Sequence, residues 1–182
     1  MKSLTHYIQE KLIIKKSTVK KNKSTNYKYF PETKKELQDI ILKRIKEEGN
    51  EVDLNDIDVS KITDMSYLFE YTNFNGNISA WDVSNVISMR SMFSNCEKFN
   101  KDISAWDVSN VKDMSYMFFN CEKFNQDISN WNVSNVTNMP YIFCWCTSFN
   151  QDISGWNVSN VKDMKGIFIN CQIEEKHKPK FK

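Results

Sequence analysis

Of the chain's five cysteines, four (Cys96, Cys121, Cys146 and Cys171) are spaced 25 residues apart. Thiolates converging from such positions could hold zinc, and Cys121, Cys144, Cys146 and Cys171 are the set from which a site could be assembled. The "CWC" at Cys144 lacks the C-x2–4-C spacing that lets two sulfurs chelate one ion. A periodic cysteine is instead what a stacked interior of small apolar side chains predicts, since free cysteine packs as a hydrophobe. Disulfides within the ladder would need dihedral angles that like positions rarely offer, and the odd count points to reduced thiols. Asp102, Asp127 and Asp152 share the period. A calcium ladder would demand more oxygen ligands per unit and glycine-rich turns. Only four glycines occur in the chain, so the expected role of these aspartates is turn capping. His6 and His177 lie in the terminal segments, and no cysteine–histidine or serine–histidine pair has a context for nucleophilic catalysis. No catalytic residue, metal or cofactor is expected.

The elements behind this spacing are repeats. Phe74, Phe99, Phe124 and Phe149 recur every 25 residues, as do Trp81, Trp106, Trp131 and Trp156, and Met89, Met114, Met139 and Met164. A weaker copy starts at Leu54, with Ile57 in place of the tryptophan, and its link to Phe74 is one residue shorter. Five copies result, the first degenerate as terminal repeats usually are. In "DISAWDV", Ile103, Trp106 and Val108 have the spacing of a leucine-rich-repeat strand, and alternation sends Asp107 and Ser109 to the opposite face. In "VKDMSYMFFNC", Met114, Met117, Phe118 and Cys121 have helical spacing, which predicts one or two turns of α or 3₁₀ helix. One unit cannot bury its apolar face alone, whereas stacked units share a continuous core.

"FNQDISNWNVSNVTNM", from Phe124 to Met139, closely resembles the 25-residue repeat of BspA-like leucine-rich-repeat proteins, first noted in mycoplasma surface proteins of unknown function. The likeness covers roughly residues 54–172. It implies an α/β right-handed solenoid of about five 24–25-residue coils, with a non-enzymatic role in protein–protein interaction and, at bacterial surfaces, adhesion. The family also occurs in phage and mobile-element genes. There the expected partner is a host or virion protein, for example a bacterial defence enzyme to be inhibited.

Charge divides the chain. Residues 1–50 hold 13 Lys/Arg against 6 Asp/Glu, while residues 51–172 hold 8 against 15. Residues 1–50 read as a basic head with a capping helix, 51–172 as the repeats, and 173–182 as a basic flexible tail. Lys15, Lys16, Lys20, Lys21 and Lys23, with Tyr27 and Tyr29 nearby, are candidate contacts to phosphates and bases. No nucleic-acid motif accompanies them, so nucleic-acid association is the alternative reading. The opening "MKSLTHYIQEKLIIKK" lacks the roughly 7–15 apolar residues of a secretory signal, and no run approaches the ~20 apolar residues of a membrane helix. A cytoplasmic location is therefore expected, with the cell surface as the alternative if a signal has been removed.

Residues 4–13 are a candidate short helix. "PETKKELQDIILKRIKEEGN" reads as a second, with Thr33 and Glu36 in capping-box positions, Leu37, Ile40, Ile41 and Ile45 on one face, and Gly49 at its end. It should cover the first coil. The tail offers little to cover the last coil, so a weak homodimer through that end is expected. Comparing the repeats with one another locates the variable face. Tyr116, Phe119, Tyr141, Trp145 and Ile169 stand where other copies carry smaller or polar residues, and they form the candidate partner-binding set.

Overall fold

The computed structural model describes residues 26–181. Helix α1, Lys34–Glu48, opens the described chain. The Thr33 side chain accepts from the Glu36 amide at 3.2 Å, and Glu36 Oε2 accepts from the Glu32 amide at 2.8 Å. Gly49, at φ +91°, closes the helix through its N–H to the Ile45 carbonyl. Leu37, Ile40 and Ile41 are buried in the same core as the repeats. Beside α1, residues 28–30 run alongside coil 1, with Tyr29 paired in parallel with Ile57. Arg44, 8% exposed, ties these pieces together. Its guanidinium donates to Asp56 Oδ1 and to the Asp53 carbonyl, each at 3.0 Å, pairs with Glu48, and lies 5.4 Å from the Tyr29 ring centre.

Five coils follow, stacked in parallel and marked by a continuous row of bridges through Asp64, Ser88, Asp113, Asn138 and Asp163. These residues define coils 1 to 5. The interior is built of aromatic ladders. Phe93, Phe118 and Phe143 stack with centroids 5.7 Å apart, and Trp81, Trp106 and Trp131 with centroids 6.5 Å apart. Each buried indole N–H is satisfied by the coil before it, as where Trp106 donates to the Ile78 carbonyl at 3.2 Å. Burying such a ring contributes on the order of 2–3 kcal/mol, and only stacking makes that burial available.

Within the coils the local structure differs from the expected strand and helical turn. Among the described residues, no repeat carries a strand or helix; the bridges are isolated. In "DISAWDV", Asp102 and Asp107 each accept a hydrogen bond from the backbone two residues on, at Ser104 and Ser109. Such Asx turns offer the backbone an alternative to a strand ladder. The expected faces are retained, with Trp106 and Val108 buried and Asp107 exposed. In the second half, Met114, Tyr116, Phe118 and Asn120 donate their N–H groups to carbonyls of the next coil. The intervening Met117, Phe119 and Cys121 close tight turns onto the residues three earlier. A helix would need those same donors internally. Successive β-turns return a side chain to the core every three or four residues, which is why the spacing imitates a helix.

The C-terminal end is not bare, because residues of the tail bond to the last repeat. The Ile153 amide donates to the His177 carbonyl at 3.0 Å, and Asn150 Oδ1 accepts from the Glu174 amide at 2.9 Å. Ile173 and Pro179 are buried, and Phe181 packs against the core. Trp156, Val158 and Val161 of coil 5 are at most 8% exposed. No helix among the described residues is long and apolar enough to cross a membrane.

Candidate functional site

The chain of turns sets the direction of the variable side chains. Two positions per coil have positive φ: Tyr67 and Tyr71, Ser91 and Asn95, Tyr116 and Asn120, Tyr141 and Trp145, Gly166 and Asn170. In coils 2 to 4 each is the third residue of a turn closed by an i→i+3 hydrogen bond, the position at which a type II turn needs φ above zero. Glycine and asparagine tolerate this conformation, whereas other residues incur about 1–2 kcal/mol. Asparagine fills the second position in coils 2, 3 and 5. Coil 4 places Trp145 there at φ +64°, and the side chain is 48% exposed.

The five expected partner-binding residues all lie on this face. Tyr116 and Tyr141 stack with centroids 5.1 Å apart, and Phe119 meets Tyr116 edge-on at 5.9 Å. Tyr141 and Ile169 both close over Gly166, where a Cβ would overlap the tyrosine ring. Trp145 donates its backbone N–H to Ile169 at 2.8 Å, which sets the two on adjacent coils. Tyr116, Phe119 and Tyr141 are half-buried, while Trp145 and Ile169 are each 48% exposed.

The structure adds residues that sequence comparison left out. Lys34 of α1 sits 5.5 Å from the Tyr67 ring centre, and Arg90 Nε donates to Tyr67 Oη at 2.9 Å. The Arg90 guanidinium lies 5.7 Å from the Tyr116 ring centre, and Lys165 Nζ lies 5.9 Å from that of Tyr141. The result is a ridge of aromatic rings flanked and linked by cations, running from the cap to coil 5. Hydrogen bonding to Tyr67, slightly opposed by burial, raises the Arg90 pKa. Tyr67 and Tyr71, the latter 77% exposed, belong to the degenerate first copy. Its shorter link hid their register, although one residue of offset recovers it.

The thiols are placed for packing. Cys121 donates to the Phe93 carbonyl at 3.0 Å and Cys146 to that of Phe118 at 2.8 Å. Burial pushes the Cys96 thiol up to about 11 and raises those of Cys121 and Cys146 well above the usual range. Cys144 is also buried, and Cys171 partly so. No group of three or more potential metal ligands occurs among the described residues. Asp102, Asp127 and Asp152 accept from Ser104, Ser129 and Ser154, as turn caps do. Lys15, Lys16, Lys20, Lys21 and Lys23, like the candidate helix at 4–13, lie outside the described residues. Tyr29, grouped with those lysines as a candidate base-stacking ring, packs against the core beneath Arg44 instead.

A family model described as "Mycoplasma protein of unknown function, DUF285" matches residues 36–143 and 103–179. No curated protein and no solved structure matches the chain. With those two matches spanning the cap helix, every coil and most of the tail, the chain belongs to this family of unknown function.

Proposed function

We propose that the chain is a non-enzymatic protein-recognition module of the leucine-rich-repeat solenoid type, and that the aromatic ridge is its binding face. The period of 24–25 residues and the parallel row of bridges support the solenoid. The observation that carries the binding reading is Trp145. A large aromatic side chain occupies a left-handed position that three sister coils fill with asparagine. Local strain of this kind is concentrated at functional sites. Half-exposed aromatic residues beside an arginine are the usual composition of binding hot spots.

The test compares protein captured from bacterial lysate by the wild-type chain and by a Trp145→Asn, Phe119→Ser double variant, both shown to be folded by circular dichroism. Loss of a specific captured protein supports the ridge. Equal capture by both chains removes it as the binding face.

A further inference from the structure

In coils 1 to 4, alternate N–H groups of the turn segment all find carbonyls on the coil that follows: Met139 bonds to Asp163, Tyr141 to Lys165, Phe143 to Ile167 and Trp145 to Ile169. Their counterparts in coil 5 are Met164, Gly166, Phe168 and Asn170. None of these four N–H groups has an acceptor among the described residues. The tail bonds to Ile153 instead and leaves this row open. Met164 is accordingly 37% exposed, while Met89, Met114 and Met139 are each 0% exposed.

We propose that this row is a second docking edge, which takes an acidic segment of a partner protein that adopts the coils' own run of turns and adds its backbone as a further rung. This inference does not rest on the ridge. Edge addition works here when the incoming chain takes the same run of turns as the coils, which presents carbonyls alone on alternate residues to the alternate donors, whereas a β-strand would set its own N–H groups against the row. The polarity of the edge selects against the simplest self-association. Two copies meeting through their coil 5 ends would oppose donors with donors, which disfavours the expected C-terminal homodimer. A head-to-tail copy would bring the carbonyls of Asp64, Ser66, Leu68 and Glu70, but α1 packs against that end, with Lys34 bonded to Asp64 at 3.0 Å and lying over Tyr67.

Charge defines the occupant further. Although the repeats are acidic overall, residues 162–180 carry five lysines against Asp163, Glu174 and Glu175; Lys176 pairs with Glu174 and Lys178 with Glu175, which leaves Lys162, Lys165 and Lys180 as the excess positive charge. A groove of about 510 Å³ is lined by Phe168 of the row together with Glu175, Lys176, Lys178, Lys180 and Phe181. Lys178 Nζ lies 5.3 Å from the Phe168 ring centre. The occupant therefore carries an apolar side chain for Met164, an aromatic one for the groove, and flanking carboxylates for the lysines.

The test uses the full chain, isotopically labelled for amide exchange by NMR. The probe is a synthetic peptide of residues 113–121 with Cys121→Ser, flanked by two glutamates at each end; a scrambled peptide is the control. In the free protein the amides of 164, 166, 168 and 170 should exchange far faster than those of 139, 141, 143 and 145. The probe should protect them, and the scrambled peptide should not. Lys162→Glu with Lys180→Glu should weaken binding about tenfold, as two lost surface pairs imply. Coil 5 amides already protected in the free chain would overturn the proposal. So would protection that rises with protein concentration alone, or probe-induced shifts confined to the ridge.

Discussion

Trp145→Asn tests whether the ridge is built for binding or for stability. The substitution removes a side chain that is 48% exposed, so about half of its surface is buried. For tryptophan that is roughly 100 Å², worth about 2–2.5 kcal/mol at ~25 cal/mol per Å². Against this stands the left-handed backbone at φ +64°. Its relief by asparagine returns about 1–2 kcal/mol. Asparagine also extends a side-chain ladder already present below it, where Asn120 Nδ2 donates to Asn95 Oδ1 at 3.2 Å. A net exposed hydrogen bond adds about 0.5–1 kcal/mol. The two sides nearly cancel, so the stability should change by less than about 1 kcal/mol. The assay is urea unfolding followed by far-ultraviolet circular dichroism, with the midpoint and slope compared. Trp145→Gly separates the terms: it relieves the backbone but cannot continue the ladder, and it should fall below Trp145→Asn by that hydrogen bond. A loss of more than about 3 kcal/mol in Trp145→Asn would refute the reasoning, because the indole would then be holding coils together.

Other outcomes follow from the core and the cap. Phe118→Ala, at 0% exposure between stacked neighbours on both sides, should cost about 3–5 kcal/mol. Phe168→Ala, half-buried on coil 5, should cost clearly less by the same urea assay. Burial alone would lift the Asp56 carboxyl, but hydrogen bonds from Arg44 and Lys28 outweigh it and hold the carboxyl below the usual range. A carboxylate depressed in the folded state contributes stability that is full above its unfolded pKa of about 3.9 and is lost as pH falls through the folded value. The cap should therefore loosen below about pH 4, seen as faster amide exchange in α1, and Asp56→Asn should flatten that dependence while lowering stability at pH 7. A thiol reagent at pH 8 should modify the native chain slowly, first at Cys171, which is only partly buried. All five thiols should react in denaturant.

The repeat period, the degenerate first copy, the capping helix and the identities of the core residues were legible because they depend on side-chain chemistry that recurs by position. Leu37, Ile40 and Ile41 face the core as their spacing requires. The turn architecture of each coil was not legible, because Met114, Met117, Phe118 and Cys121 return to one face in a helix and in successive β-turns alike. What separates the two is the destination of the backbone donors, and side-chain periodicity carries no record of it. One signal was available: Asn95, Asn120 and Asn170 recur at a position that has positive φ. The packing of the tail was hard to read for a related reason. Pro179 and His177 are weak markers of burial, yet the His177 backbone carbonyl and ring bond to Ile153 and Asn150. Lys34, Arg90 and Lys165 joined the ridge only once adjacent coils were in register, because a cation over a ring is a relation between coils.

The same geometry lets the outward residues differ from coil to coil while the core stays fixed. Core ladders fix the residues that point inward, since a change in one coil must fit those above and below. The positive-φ positions other than the buried Ser91 are half-buried or exposed and meet no such demand, so their cost is local: about 1–2 kcal/mol for any residue other than glycine or asparagine. Asparagine is then the inexpensive default, and each departure from it marks a place where the outward side chain matters. Coil 4 departs at both positions with Tyr141 and Trp145, coil 3 at one with Tyr116, and coil 1 at both with Tyr67 and Tyr71. With adjacent coils about 4.8 Å apart, the paired departures lie about 14 Å apart, three coils up the stack. Coil 2 breaks the run with Ser91 and Asn95, and there Arg90 reaches across to link Tyr67 with Tyr116. Arg90→Ala should therefore weaken partner capture more than its own contact area implies, because it frees Tyr67 and Tyr116 to reorient, while the urea midpoint stays nearly unchanged. Arg90→Lys should restore little, since a lysine cannot donate to the Tyr67 hydroxyl and lie flat on the Tyr116 ring at once. Full capture by Arg90→Lys would show that the ridge needs only positive charge at this point, not a fixed arrangement of rings.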